Sequence, residues 1–217
     1  MADRPFAHPD DRSFDPAEST VAFRDAAHWW RSLVGGVDDH QWDQKGLGEW
    51  TVRELVAHGA RAFRTVAEYA DGEVKDPTPI DTAAEYFRIV LAEQTPHVHI
   101  AARAKREAAL ETDWVASTDR YWESAERVVA RLEPWEELHL FVGEMPLGQY
   151  LATRVVELVV HGLDLSAAIG IPSPPPRRSA RVALEVLLDL APVEDLGMLA
   201  KALTGRSGLR PLGNVLG

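Results

Sequence analysis

The chain has 217 residues, about the size of one domain, and is 46% hydrophobic and 26% charged, which excludes a disordered chain. Thirty-four acids against 23 Lys and Arg give a formal net charge of −11, which sets aside nucleic acid and anionic membrane as partners because phosphate surfaces repel such a chain. There is no cysteine, so disulfides, thiolate metal sites, iron–sulfur clusters and a protein-borne sulfur nucleophile are excluded, and any thiol chemistry must use a small molecule.

Residues 1–16 are polar and proline-bearing and read as a flexible arm. The opening stretch, Met1 to Pro5, has no apolar core of a signal peptide, and no apolar run approaches the ~18–20 residues that span a bilayer, so a cytoplasmic location is expected. From about Pro16 to Val34, apolar residues fall at three- and four-residue steps, a helix period stopped by Gly35-Gly36. A loop with Trp42, Gly46, Gly48 and Trp50 follows. Thr51 and Glu54 then make a T-x-x-E capping box, with Trp50 and Leu55 placed as a hydrophobic staple, so a helix is expected from Val52 to about Ala70.

Ala83 to Gln94 reads as helical, with Pro96 as its break, and a second long helical stretch, either continuous or in two pieces, runs to about Leu132. Pro134, Gly143 and Pro146 mark a loop or short strand. Leu147 to Ile169 is the most apolar segment, closed by Gly170 and Pro172. The run Pro172-Ser173-Pro174-Pro175-Pro176 reads as a stiff spacer, followed by helices over Ser179–Leu190 and Val193–Leu203, with Gly205 after the last. No hairpin dipeptide and no βαβ rhythm is visible. The expectation is an all-α fold: a bundle over residues 17–170, then a proline-rich spacer and a short helical extension over 171–217.

Chemistry concentrates on the segment Leu147–Ile169. Valines and leucines at 155, 156, 158, 159, 160 and 163 cover nearly every direction of this helix, yet Arg154, Glu157, His161 and Asp164 fall within one ~80° sector. Such a stripe faces either solvent or a buried site. A Glu among valines is costly unless it is paired or ligates a metal. The residues alone leave open a solvent-facing stripe, an internal salt bridge to Arg154 and a metal site. With no Cys, a further ligand must be a His or a carboxylate. His8 lies in the arm and His40 and His139 in loops, His97 and His99 form an H-x-H pair, and His28 sits beside Trp29. His58 stands two turns into its capped helix at the edge of the apolar face, where it can point at a neighbouring helix.

Three pieces carry a resemblance: Trp50-Thr51-Val52-Arg53-Glu54-Leu55-Val56-Ala57-His58; the R-x-x-E-x-x-x-H-G-x-D run from Arg154 to Asp164; and the closing Leu203-Thr204-Gly205-Arg206 with the leucines after it. Together they resemble the mycothiol-dependent maleylpyruvate isomerase-like family, within the DinB-like four-helix-bundle superfamily. The resemblance implies a divalent metal, zinc first and nickel or others as alternatives, held by His58, Glu157 and His161. Asp164 matches the family's Asp after the second His and is read as a group behind the ligands or one that orients the helix, not as a ligand, and Arg154 is read as a further group behind the ligands. Mycothiol is the implied thiol cosubstrate. Residues 171–217 are too short for the separate sterol-carrier-like domain of members that isomerise maleylpyruvate. Arg88 and Arg206 are candidate substrate-binding arginines.

Two His and one carboxylate on a tetrahedral ion leave one position open, the pattern of catalytic zinc. A thiol at that position loses its proton near neutral pH. The expected function is S-transfer, thiol exchange or cis–trans isomerisation of a small electrophilic metabolite. The alternatives are a hydrolase activating water at the same site, with Glu54 or Asp164 as its nearest bases, and a non-catalytic bundle that binds a small molecule or partner. The partners expected are the electrophile and the thiol, with the protein a monomer or homodimer. The loop Trp42–Trp50 and the stretch Leu138–Pro146 are the expected walls of the site.

Overall fold

Asp15 starts the first helix: its carboxylate accepts from the backbone N–H groups of Ala17 and Glu18, and Pro16 fills the first position, where no amide hydrogen is needed. The computed structural model describes residues 5–73, 77–92 and 105–206. The helices are α1 (Pro16–Gly35), α2 (Val52–Gly59), α3 (Arg61–Ala70), α4 (Ala83–Leu91), α5 (Trp114–Arg131), α6 (Leu147–Ala168), α7 (Arg177–Leu190) and α8 (Val193–Leu203). The fold is the all-α bundle expected. Helix α6 packs against α1 on one side and against α2 and α3 on the other, while α5 closes the ring between α1 and α3. None of the helices among the described residues is long and apolar enough to cross a membrane.

The expected helix Val52–Ala70 is two helices. Its capping box is as read: Thr51 Oγ1 accepts from the Glu54 N–H, and Glu54 Oε2 accepts from the Thr51 N–H. The break falls at Ala60, where Phe63 N–H bonds back three residues to Ala60 O at 3.1 Å, a tightened turn. It follows Gly59, which lies so close to the Trp30 ring of α1 that a Cβ there would overlap the indole. The same relation recurs on α6, where Gly162 lies against the ring of Trp29. Two consecutive tryptophans of α1 thus seat on two glycines of the helices flanking it. Trp29 is fixed further by an Nε1–H bond to Ser173 Oγ at 2.8 Å.

Residues 137–146 hold a β-hairpin where a loop or short strand was expected, with β3 (Glu137–Leu140) paired antiparallel to β4 (Gly143–Pro146). Its partner is tertiary: Glu144 donates to Thr78 O and accepts from the Ile80 N–H, both at 2.8 Å. Gly143 has φ +150, and a Cβ there would overlap Thr78 O. A smaller ribbon, β1 (Lys45–Leu47) with β2 (Trp50–Thr51), turns at Gly48, whose φ is +55. Of the two readings of the stretch before Leu132, the one in two pieces holds: α5 begins at Trp114, where the Asp113 side chain accepts from the Ala116 N–H. Gln94, Pro96, His97 and His99 lie outside the described residues, so α4 is followed only to Leu91 and its turn.

The arm read as flexible over 1–16 is fastened from Asp11 onward. Arg88 of α4 donates to both Asp11 carboxylate oxygens, at 2.6 and 2.8 Å, and to the carbonyl of Asp189 at 2.8 Å. Arg12 pairs with Glu18 and Glu185, and Phe14 is buried in the core. Helix α7 joins that same core through Val182, Ala183 and Val186 rather than standing apart as an appendage, and Ser179 Oγ donates to Ala22 O of α1. Only α8 buries none of its residues.

Candidate metal centre

Helix α2 delivers His58 in its last turn, and α6 delivers Glu157 and His161 one turn apart near its middle. The two helices pack side by side, so the three side chains meet. His58 Nε2 lies 3.6 Å from Glu157 Oε2, and His161 Nε2 lies 3.4 Å from the same oxygen. The two imidazoles stand edge to face at 4.7 Å between centroids. One ligand atom from each residue falls within 4.8 Å of the other two, and this is the one such group of three among the described residues.

Those separations are informative. They are long for hydrogen bonds, which run to about 3.2 Å for N–H···O. They match the roughly 3.3–3.5 Å between two ligands of a tetrahedral zinc ion with bonds of about 2.0–2.1 Å. The side chains are mostly covered, at 13% exposed for His58, 16% for His161 and 26% for Glu157. Donor set and spacing therefore fit a divalent ion.

The surroundings set the state of each donor. His161 Nδ1 lies 3.3 Å from Asp164 Oδ2. A carboxylate accepts, so Nδ1 carries a hydrogen, and Nε2 is the nitrogen turned toward the centre. Burial holds the His58 imidazole below its ordinary pKa, reinforced by the charges of His161 and Arg61 and opposed by Glu157. His58 is therefore neutral at pH 7, and its Nδ1 is buried with no hydrogen-bond partner. For Glu157, burial alone would favour the neutral acid. The close imidazoles of His161 and His58 and the Arg154 charge outweigh it and hold the carboxylate well below its usual range. For His161, burial is outweighed by Asp164 and Glu157, and its pKa is pushed up to about 9. The ion-free centre thus carries a proton on His161 that a metal would displace.

One expected wall is in place. Trp50 lies 5.0 Å from the His58 ring and 6.5 Å from that of His161. Its loop is pinned at both ends: Gln41 Nε2 donates to Ile169 O at the end of α6, while Trp42 O and Gln44 O accept from the first N–H groups of α2. The other expected wall is elsewhere. The hairpin of residues 137–146 ends where α6 begins, ten residues before Glu157 and about 15 Å away along the helix axis.

The remaining candidates separate cleanly. Arg154 does not pair with Glu157; its guanidinium lies over the rings of Tyr150 and Tyr86. Arg88 is spent on Asp11 and the chain near Asp189, and Arg206 is exposed beyond α8. Glu54, a candidate base, is engaged in the capping box, and Asp164 faces His161. His139 pairs across the hairpin with Glu144 at 3.0 Å, and His28 is exposed beside Trp122. The sequence reading missed the contacts of Trp29 and Trp30 with Gly162 and Gly59. The available signal was the repeated His-Gly pair, His58-Gly59 and His161-Gly162.

The family model described as the mycothiol maleylpyruvate isomerase N-terminal domain matches residues 23–166. Among curated proteins and among solved structures, nothing matches the chain.

Proposed function

The chain belongs to the family of the mycothiol maleylpyruvate isomerase N-terminal domain, and from that membership we propose that it is a metal-dependent enzyme using a low-molecular-weight thiol, mycothiol, on a small electrophile. The observation that carries this reading is the convergence of His58, Glu157 and His161 from two helices at metal-ligand spacing. These three are the proposed ligands, with zinc the proposed ion and Asp164 the group that orients His161. His58, Glu157 and His161 would hold such an ion, which would supply acidification of a thiol near neutral pH.

The chain's own residues do the rest. Burial keeps His58 neutral and so able to donate its lone pair. Asp164 fixes the His161 tautomer, and Glu157 remains ionised and contributes one negative charge to the ligand set. Helices hold this geometry better than loops do. Trp50 covers the imidazoles and limits the water that competes with sulfur. Sulfur adding to an electrophilic carbon gives isomerisation if a bond rotates and the same sulfur leaves, and transfer if another group leaves. The hydrolase alternative has less support, since Glu54 is held by its cap and Asp164 by His161.

Protein purified without chelator is to be analysed for metal, then assayed for mycothiol consumption against a panel of electrophiles. The expected result is one equivalent of a divalent ion and thiol consumption that stops when the ion is stripped. Metal without thiol dependence overturns the thiol reading, and no metal uptake overturns the centre itself.

A further inference from the structure

Arg154 is the one arginine among the described residues that is buried, at 6% exposed. The other interior-facing arginines all have carboxylates: Arg24 has Glu126, Arg31 has Asp119, Arg61 and Arg64 share Glu107, and Arg88 has Asp11. Arg154, more covered than any of them, has no carboxylate oxygen within 4.0 Å among the described residues. Its neighbours are neutral. Nε donates to Thr153 Oγ1 at 3.0 Å, and the guanidinium lies 4.7 Å from the Tyr150 ring centroid and 5.7 Å from that of Tyr86.

Desolvating a cation without an anion is unfavourable, and ring faces offset only part of it. The acid is not supplied from the same helix either. Glu157, one turn on, is directed at the two imidazoles. The rings hold their places through other contacts: Tyr150 donates its hydroxyl hydrogen to Thr65 Oγ1 at 2.7 Å and meets Tyr86 edge to face. The result is a rigid cationic position beside the centre, which acts on Glu157 through space and has no carboxylate in contact with it among the described residues. When a dication is held, Glu157 and Asp164 balance it, and the charge of Arg154 is left over.

We propose that Arg154, between Tyr86 and Tyr150, is the specificity-determining residue of the site and holds a carboxylate of the electrophile. A planar fork between ring faces suits a flat carboxylate. A phosphate would call for a second free cation, and Arg61, the nearest other one on this side, is taken by Glu107. The assignment rests on the proposed metal-centred function, since it gives the anion a reason to sit one turn from Glu157.

The test uses fluorine NMR with trifluoroacetate as probe and trifluoroacetamide as its neutral counterpart, on zinc-loaded and on chelator-stripped protein. Wild-type protein is expected to bind trifluoroacetate at least tenfold more tightly than the amide in both forms. Arg154→Met is expected to lose that preference while keeping its zinc equivalent, and Arg154→Lys to recover part of it. Equal binding of the two probes by wild-type protein overturns the proposal without recourse to any variant. Unchanged trifluoroacetate binding by Arg154→Met overturns it as well. Protein that never takes up zinc but still prefers trifluoroacetate through Arg154 keeps the anion position and removes the metal reading, so the two failures are distinct.

Discussion

Two of the clusters of covered ionisable groups among the described residues are built on opposite plans. At the first, Asp11, 2% exposed in its side chain, receives both arms of Arg88, which also caps the carbonyl of Asp189. Its acid and base satisfy each other at hydrogen-bond distance, and the cluster needs nothing from outside. At the second, His58, Glu157 and His161 approach one another but stop at 3.4–3.6 Å, and one imidazole nitrogen is left without a partner. Both are unlike the hydrophobic surroundings. Only the second is left open, which is the arrangement the proposed metal centre calls for. Charge in an interior is therefore weak evidence of function until the distances are read: a closed pair is complete as a structural clasp, and an open set is the place to test for a ligand.

The sharpest way to break that contrast is to delete ligands. His58→Ala and His161→Ala are each expected to lose bound zinc altogether after dialysis, with far-UV circular dichroism unchanged; a full equivalent retained by either would mean the centre is not the binding site. Next comes the clasp. Arg88→Met leaves Asp11 buried and unpaired and is expected to lower urea stability by about 3 kcal/mol while zinc content stays the same. Zinc lost along with stability would show that the two clusters are not independent. Asp164→Asn is expected to weaken zinc by about 10–100-fold in a chelator competition, because it loosens the orientation of His161 without removing a ligand.

The smallest effect is the pH dependence. The His161 pKa lies at about 9, above its ordinary value, so below that pH an incoming ion must displace a proton. Zinc affinity is expected to rise from pH 6.5 to about 9, by up to about tenfold per unit, and then to level off. In the ion-free protein the sign is opposite. The charged His161 contributes stability that is complete below about pH 6.5 and fades as pH rises through about 9. An affinity flat across that range would show that His161 is already neutral and that Asp164 does not hold its charge.

The helices were legible because their signals are local. The capping box Thr51/Glu54, the period of α1 and the apolar run of α6 need no knowledge of neighbours. Asp164 and the Glu157–His161 pair were legible for the same reason, as one stripe on one helix. His58 needed the resemblance to single it out from seven other histidines. What stayed hidden was tertiary. The hairpin lacks a turn dipeptide and is held by Thr78 and Ile80 from far along the chain. The break at Ala60 answers to Trp30. The arm is fastened by Arg88, which the sequence reading had set aside for substrate.

Helix α1 contributes no donor atom to the centre, yet it works as a caliper for it. Its adjacent indoles, a single residue apart and so at a fixed span, rest on the residues just after the two imidazoles of the centre. Zinc sites tolerate about 0.2 Å in their bond lengths, far less than the girth of one methyl group. Even an alanine at residue 59 or 162 would pry a jaw open by more than that. Under the proposed function, metal affinity therefore rests on two glycines that are not among the three donors, and a variant filled at either one keeps its helices and loses its gauge.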